Sequence, residues 1–288
     1  MTPILLRTAA PSATLRAAVR GCAGAALLAA AVLAAGCVGP GPADSPRAVP
    51  PRTDILLIGE RHDAPGQPAL AAEAVRALAA DGRLAVLALE MAPEGTSTVA
   101  LPAGADEAAA RSALAWDERA WPWERYAPAV MAAVAARVPV VGANLPAARL
   151  RTAMADVSLD AQLTPEARAL QETAIRDGHC GLLPERQIGP MTRVQVARDR
   201  IMAHVLAQSV RPEATAVLLA GAGHVDRRVG VPQHLPTHLS VRAVAMVAAG
   251  DGAGAPAAFT AVWPSPPAPA TDHCAALREK LPPARRTP

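Results

Sequence analysis

Aromatic side chains are scarce in this chain. They make up 2% of 288 residues, with one Tyr, one Phe and four Trp. The core must therefore be built from Ala, Val and Leu, and few flat side chains remain for stacking. Lysine is nearly missing, at a single residue, and no arginine-rich stripe interleaved with aromatics occurs. Nucleic-acid binding finds little support on that ground. Long apolar runs are missing too: the longest, Ala23–Ala35, falls short of the roughly 20 residues that span a bilayer. What remains is a chain long enough for one large domain with a real core, or two small ones.

That short apolar run has a different use. Arg7, Arg16 and Arg20 precede it without any acidic residue, and Gly36-Cys37 closes it. This is the pattern of an export signal over residues 1–36. Leu33-Ala34-Ala35-Gly36-Cys37 also approximates a bacterial lipobox, with the large aliphatic one place further from Cys37 than usual. Lipidation at Cys37 is the expectation, placing the protein outside the cytoplasm on a membrane anchor. Without the leader, the 28 Lys and Arg lose three and match the 25 Asp and Glu, so the mature charge is near zero. Residues 37–53, rich in Pro, Gly and Ala, read as a flexible tether. Two cysteines then remain, Cys180 and Cys274. Such a pair favours a disulfide in an oxidising compartment, although each follows a histidine, which also suits metal contact.

The domain begins with Asp54-Ile55-Leu56-Leu57-Ile58-Gly59-Glu60-Arg61-His62-Asp63. Four large aliphatics in a row predict a strand buried on both faces, as in a parallel sheet. Carboxylate and imidazole follow at once, where ligands of open α/β sheets collect. A helix over Gln67–Asp81 and a second buried strand, Leu84–Leu89, complete a βαβ unit, with Glu90 at the strand end. Residues 92–137 become irregular and then helical. Val138–Ala143 predicts a third strand. Helices are expected over Pro146–Val157 and over Thr164–Gly178, the latter opened by Thr164-Pro165-Glu166. In a further helix, Met191–Ser209, Met191, Gln195, Asp199 and Met202 share one face, either against a ligand-filled space or at a boundary with water. Thr215–Ala220 predicts a fourth strand, ending in Gly221-Ala222-Gly223-His224, a second Gly-x-x-His after a strand. Ser240–Val247 and Ala257–Trp263 close the sheet. Glu60, His62, Glu90 and His224 should therefore emerge together at its C-terminal edge. The expected fold is a single α/β domain over 54–264, a mainly parallel sheet flanked by helices with a helical insertion, and an irregular tail over 265–288.

Several of these segments resemble one family. Gly59-Glu60-Arg61-His62-Asp63, Leu89-Glu90-Met91, the Trp116, Trp121 and Tyr126-Ala127-Pro128 region, and Val140–Pro146 occur in its order. Gln195–Ala203, Gly221–His224 and Gly230-Val231-Pro232 continue it. The chain is similar to the ChaN-type haem-binding lipoproteins, within the superfamily that also holds the TIKI/TraB proteins and the erythromycin esterases.

The resemblance implies an outer-membrane lipoprotein that binds haem for iron acquisition, serves an outer-membrane haem or iron receptor, and forms a homodimer. It implies a tyrosine ligand, for which Tyr126 is the sole candidate, with His179, Cys180 or a Met as substitutes. Gln195, Asp199 and Met202 are the further candidates for contact with the cofactor. The superfamily's other branch implies a divalent-metal-dependent or acid/base hydrolase, in which Glu60, His62, Glu90 and His224 would be the metal ligands or catalytic groups.

Overall fold

The computed structural model describes residues 45–49, 53–252, 257–270 and 272–280. The expected signal segment 1–36 and Cys37 lie outside these residues. The strands are β1 (Ile55–Glu60), β2 (Leu84–Pro93), β3 (Val140–Asn144), β4 (Thr215–Gly221), β5 (Val241–Ala248) and β6 (Ala261–Ser265). They form one sheet in the order β3-β2-β4-β1-β5-β6, with every pairing parallel. The α/β class and the parallel sheet are as the apolar runs predict.

Because both faces of the sheet are covered, the strands need no polar alternation. Leu56 and Ile58 of β1 point into one core, with Leu87 and Leu89 of β2, and pack under α1 (Gln67–Ala80) and α3 (Trp123–Ala135). Ile55 and Leu57 point the other way, with Ala216 and Leu218 of β4, onto Met202, Ala203 and Leu206 of α6 (Glu185–Ser209). Each such fully buried Leu or Ile contributes about 1.5–3 kcal/mol of transfer free energy. The remaining helices are α2 (Glu107–Ala113), α4 (Leu150–Ala155), α5 (Pro165–Gly178), α7 (Ala222–Val225) and α8 (His273–Lys280). Thr164 caps α5 by accepting from the Ala167 N–H, as its sequence predicts.

The site is placed by β1 and β4, which pair directly through Glu60 and Gly221. From β1 the chain leaves through α1 toward β2. From β4 it leaves through α7 toward β5, on the opposite side. Such a reversal between neighbouring strands opens a crevice at their C-terminal ends.

Three expectations need correction. Of the 37–53 stretch read as a flexible tether, residues 45–49 lie on the domain. Val49 is buried in the first core, its carbonyl accepts from Arg83 at 3.1 Å, and Arg47 pairs with Glu73. The expected strand Ala257–Trp263 begins only at Ala261. Ala257 and Ala258 are in a turn, where the Ala258 carbonyl accepts from the Arg227 N–H instead of joining the sheet ladder. The 265–288 tail is not irregular throughout, since it carries α8. No helix among the described residues is long and apolar enough to cross a membrane.

Candidate functional site

The backbone delivers Glu60 as the last residue of β1, and His62 two residues on. The turn that follows is fixed by Gln67, fully buried on α1. Its Oε1 accepts from the Arg61 N–H at 2.6 Å, and its Nε2 donates to the Met246 carbonyl at 3.0 Å. Nothing in the sequence marks Gln67 for this role, as it reads only as a helix start. Glu90 lies inside β2 and not beyond it, because β2 runs on to Pro93 through an irregularity against β3. His224 sits on α7, the short helix that β4 runs into.

These four residues form one connected group. His62 Nδ1 lies 2.8 Å from Glu60 Oε1, and His62 Nε2 lies 3.8 Å from Glu90 Oε2. His224 Nε2 lies 3.4 Å from Glu90 Oε1. The Gly221 N–H donates to Glu90 Oε2 at 2.7 Å, and Asp199 of α6 holds His224 Nδ1 at 2.6 Å. Asp199 therefore orients an imidazole from the buried side.

Two buried carboxylates on one imidazole decide the charge. Burial alone pushes the His224 pKa down, but Glu90 and Asp199 outweigh it and raise it to about 10. Burial likewise pushes Glu90 up, yet His224, His62 and the Gly221 N–H bring it down to about 2. Asp199 is left above the usual carboxylate range, because its burial is only partly offset by His224. So His224 is an imidazolium that compensates the carboxylates. His62 is the accessible member, with a side chain 40% exposed. Burial lowers its pKa, and Glu60 and Glu90 more than reverse that, so it can hold or pass a proton at the edge of the crevice.

As they stand, the donors of this group do not converge on one point. Among the described residues, the single set of three or more His, Cys, Asp or Glu with ligand atoms all within 4.8 Å of one another is Cys180, His273 and Cys274. Cys180 and Cys274 are joined as a disulfide.

Above the group opens a cavity of about 610 Å³, in the ~300–1,000 Å³ range of small-molecule sites. Glu60, His62, Glu90 and His224 form its floor. Gln195, Arg198 and Asp199 of α6 and His179 at the end of α5 form one wall, and Met246 and Phe259 lie in another. Two candidate residues are elsewhere. Tyr126 is buried on α3 in the first core, outside the cavity, and donates its hydroxyl to Glu60 Oε1 at 2.7 Å. Burial, with Glu60 beside it, pushes its pKa up, so it stays a phenol and not a tyrosinate. Met202 is fully buried in the second core, two helical turns deeper than Gln195. The stripe thus runs from the cavity wall at Gln195 and Asp199 into sheet packing at Met202. Neither Tyr126 nor Met202 lines the cavity.

Three of the four Trp gather with Tyr126 behind His62. Trp121 meets the His62 ring edge-on at 4.9 Å, Trp116 meets Trp123 at 4.9 Å, and Trp116 Nε1 donates to the Trp121 carbonyl at 2.8 Å. They brace the site without lining it. Two cavity groups have the chemistry to hold an iron porphyrin. His179 Nδ1 lies 2.8 Å from the Ile175 carbonyl. A carbonyl only accepts, so Nδ1 carries the proton and Nε2 keeps its lone pair, the second-shell arrangement of metal-ligating histidines. Arg198 Nε is buried with no partner among the described residues, a cation short of an acceptor. The sequence offers no signal for Arg198 beyond its place beside Asp199.

The family model described as haem-binding uptake, Tiki superfamily, ChaN matches residues 51–235. Among solved structures, the chain is similar to one described as cofacial heme binding to ChaN of Campylobacter jejuni. The two share 21% identity over 73% of this chain and 87% of that one, with a TM-score of 0.61. At this identity the likeness shows the fold. The structure of the type III effector HopBA1 matches at 17% identity over 74% of this chain and 88% of that one, with a TM-score of 0.44. No curated protein matches the chain in sequence.

Proposed function

The chain belongs to the haem-binding uptake family of the Tiki superfamily, ChaN, and from that premise we propose that its 610 Å³ cavity takes haem for iron acquisition. The observation that carries the reading is His179. It stands in the cavity wall with Nδ1 tied to a carbonyl and Nε2 left as a ligand. Haem, if bound, would supply a ferric iron able to accept an imidazole nitrogen, which His179 would provide. Arg198, whose buried Nε has no hydrogen-bond partner among the described residues, suits one propionate, and Met246, Ile175 and Phe259 offer apolar contact to the macrocycle.

The test is a titration of the purified protein with ferric haem, followed by the Soret absorption. The expected result is saturable uptake with a histidine-type spectrum, and loss of that spectrum in His179→Ala. Uptake that is spectrally unchanged in His179→Ala would remove the reading's main support.

The setting belongs to the same proposal. Arg7, Arg16, Arg20, the Ala23–Ala35 run and Gly36-Cys37 support export and lipidation at Cys37, on an outer membrane. The Cys180–Cys274 disulfide fits an oxidising compartment. A haem or iron receptor in that membrane would be the partner, and assembly as a homodimer belongs to the same proposal. Intact mass of the mature protein tests the anchor, since Cys37 should be its first residue and carry a diacylglyceryl group.

A second reading, a hydrolase, rests on His62, a partly exposed imidazole flanked by Glu60 and Glu90 at the cavity floor. With His224 and Glu90 already committed to one another, His62 is the group that could exchange a proton with a substrate. Metal-dependent hydrolysis at the same floor would first require the donors to draw together. Activity against ester and peptide panels, lost in His62→Ala, is its test.

A further inference from the structure

Helix α8 is fastened to the domain in an unusual way. None of its described side chains belongs to a hydrophobic core, and His273, Ala275, Arg278 and Glu279 are exposed. Its attachment is the bond from Cys274 to Cys180, 94 residues earlier, at the turn that follows α5. Beside that bond stands a third group. His273 Nε2 lies 3.5 Å from Cys180 Sγ and 3.7 Å from Cys274 Sγ. The three donor atoms lie within 4.8 Å of one another, and both cysteines are only half-buried. Bond lengths of about 2.3 Å to sulfur and about 2.0 Å to nitrogen put two ligands of one tetrahedral ion roughly 3.5–3.8 Å apart. Small side-chain rotations would therefore bring all three donors onto one ion.

We propose that Cys180, His273 and Cys274 form a redox-gated site for a thiophilic metal ion of the Zn²⁺ class. Oxidised, the two sulfurs are bonded to one another and cannot both act as thiolates. A dithiol reductant supplies two electrons and two protons: the S–S bond breaks into two thiols, and the reductant leaves as its own disulfide. The metal then displaces both thiol protons to water and gathers two thiolates and the His273 imidazole, with water in the fourth position. Two soft sulfurs and one imidazole select Zn²⁺ or Cu⁺ over Mg²⁺ or Ca²⁺. The site stands apart from the cavity floor, yet Cys180 directly follows His179 in the cavity wall. Either state, bonded or metal-filled, keeps α8 on the domain, whereas the reduced empty state releases it.

The experiment titrates the whole chain with Zn²⁺ against a chromophoric chelator, once oxidised and once after reduction by a phosphine that binds zinc weakly. Cys22, Cys37 and the cavity-floor histidines form a common background, so each result is compared with the Cys180→Ser/Cys274→Ser double variant. The expected result is one additional Zn²⁺ per chain on reduction, absent from the double variant. Since the double variant could loosen α8, His273→Ala, at an exposed position, gives the second measurement. It should weaken the additional zinc at least as much as the roughly ten-fold that losing an outer-shell partner costs. Reduced protein that takes up no more zinc than oxidised protein overturns the proposal. So does additional zinc that persists in the double variant, or that His273→Ala leaves at full affinity.

Discussion

The Tyr126 hydroxyl lies 2.7 Å from Glu60 Oε1, on the side of that carboxylate turned toward the core, so the chain's one phenol supports the site from behind. Tyr126→Phe should therefore leave haem affinity and spectrum within two-fold of the parent. Its effect should appear in stability. Among the described residues Glu60 Oε2 is already buried without a hydrogen-bond partner, and the substitution leaves Oε1 with His62 alone. A loss of about 1–3 kcal/mol is expected from an under-satisfied buried acceptor, read from urea unfolding. A phenylalanine variant that kept its stability and lost haem would return the ligand role to Tyr126.

Arg198 gives a prediction of another kind. If its guanidinium receives a propionate, Arg198→Ala should weaken ferric haem by roughly 10–100-fold, the scale of a charged hydrogen bond. The dimethyl ester of the same porphyrin should bind the variant and the parent alike, because it has no carboxylate to lose. An equal loss for both ligands would mean that Arg198 shapes the wall without reading charge.

The His224 ion pair should be visible as a pH dependence. Its folded pKa is raised to about 10 from an ordinary 6.5. The stabilisation is then fully present below pH 6.5 and is lost as pH rises through about 10. Glu90 is the mirror case. Held at about 2, it contributes above its ordinary 4.5, and that contribution fades as pH falls through 2. Unfolding free energies from urea titrations between pH 6.5 and 10 should decline by roughly a few kcal/mol in all, on the order expected for a buried pair. His224→Gln should start lower and stay flat across that window. A parent protein equally stable at pH 6.5 and pH 10 would mean that His224 is neutral in the fold.

How much of this could be read from the sequence follows from what periodicity reports. Runs such as Leu56–Ile58 and Val217–Leu219 are buried on both faces, so they stand out as uninterrupted aliphatics and set the parallel sheet. Once the strands are parallel, residues beyond their ends share an edge, and Glu60, His62, Glu90 and His224 meet there. The second layer was not legible in the same way. Whether Tyr126 faces cavity or core depends on how α3 is rotated against α1, which a Trp-rich segment with little alternation does not disclose. Asp199 was visible as a polar residue on an apolar stripe, but its partner His224 lies 25 positions away. The described side chains of helix α8 join no hydrophobic core, and a disulfide holds it where packing would otherwise leave a periodic trace.

The glycine of the second Gly-x-x-His motif supports the last prediction. Gly221 has an ordinary extended backbone, φ −59° and ψ 145°, so conformational freedom is not what it provides. Space is the reason for it. A Cβ at Gly221 would stand 2.9 Å from His62 Nε2, 3.3 Å from His62 Cε1 and 3.5 Å from Glu90 Oε2. The first contact is too close to hold, so the imidazole would have to shift. Its freedom to do so is small, since Nδ1 is engaged by Glu60 and the ring meets the Trp121 edge. Gly221→Ala should therefore cost about 1–3 kcal/mol, as overpacking does. It should also bring the His62 titration, followed by NMR, back toward an ordinary imidazole as the contact with Glu60 loosens. Gly223→Ala is the control, two residues along on α7, with nothing within 4 Å of the added carbon. It should remain within about 0.5 kcal/mol of the parent, the usual range for an unencumbered surface change. If the two alanine variants proved equally stable, with His62 titrating alike in both, the close approach of β4 to His62 would not be what positions that ring.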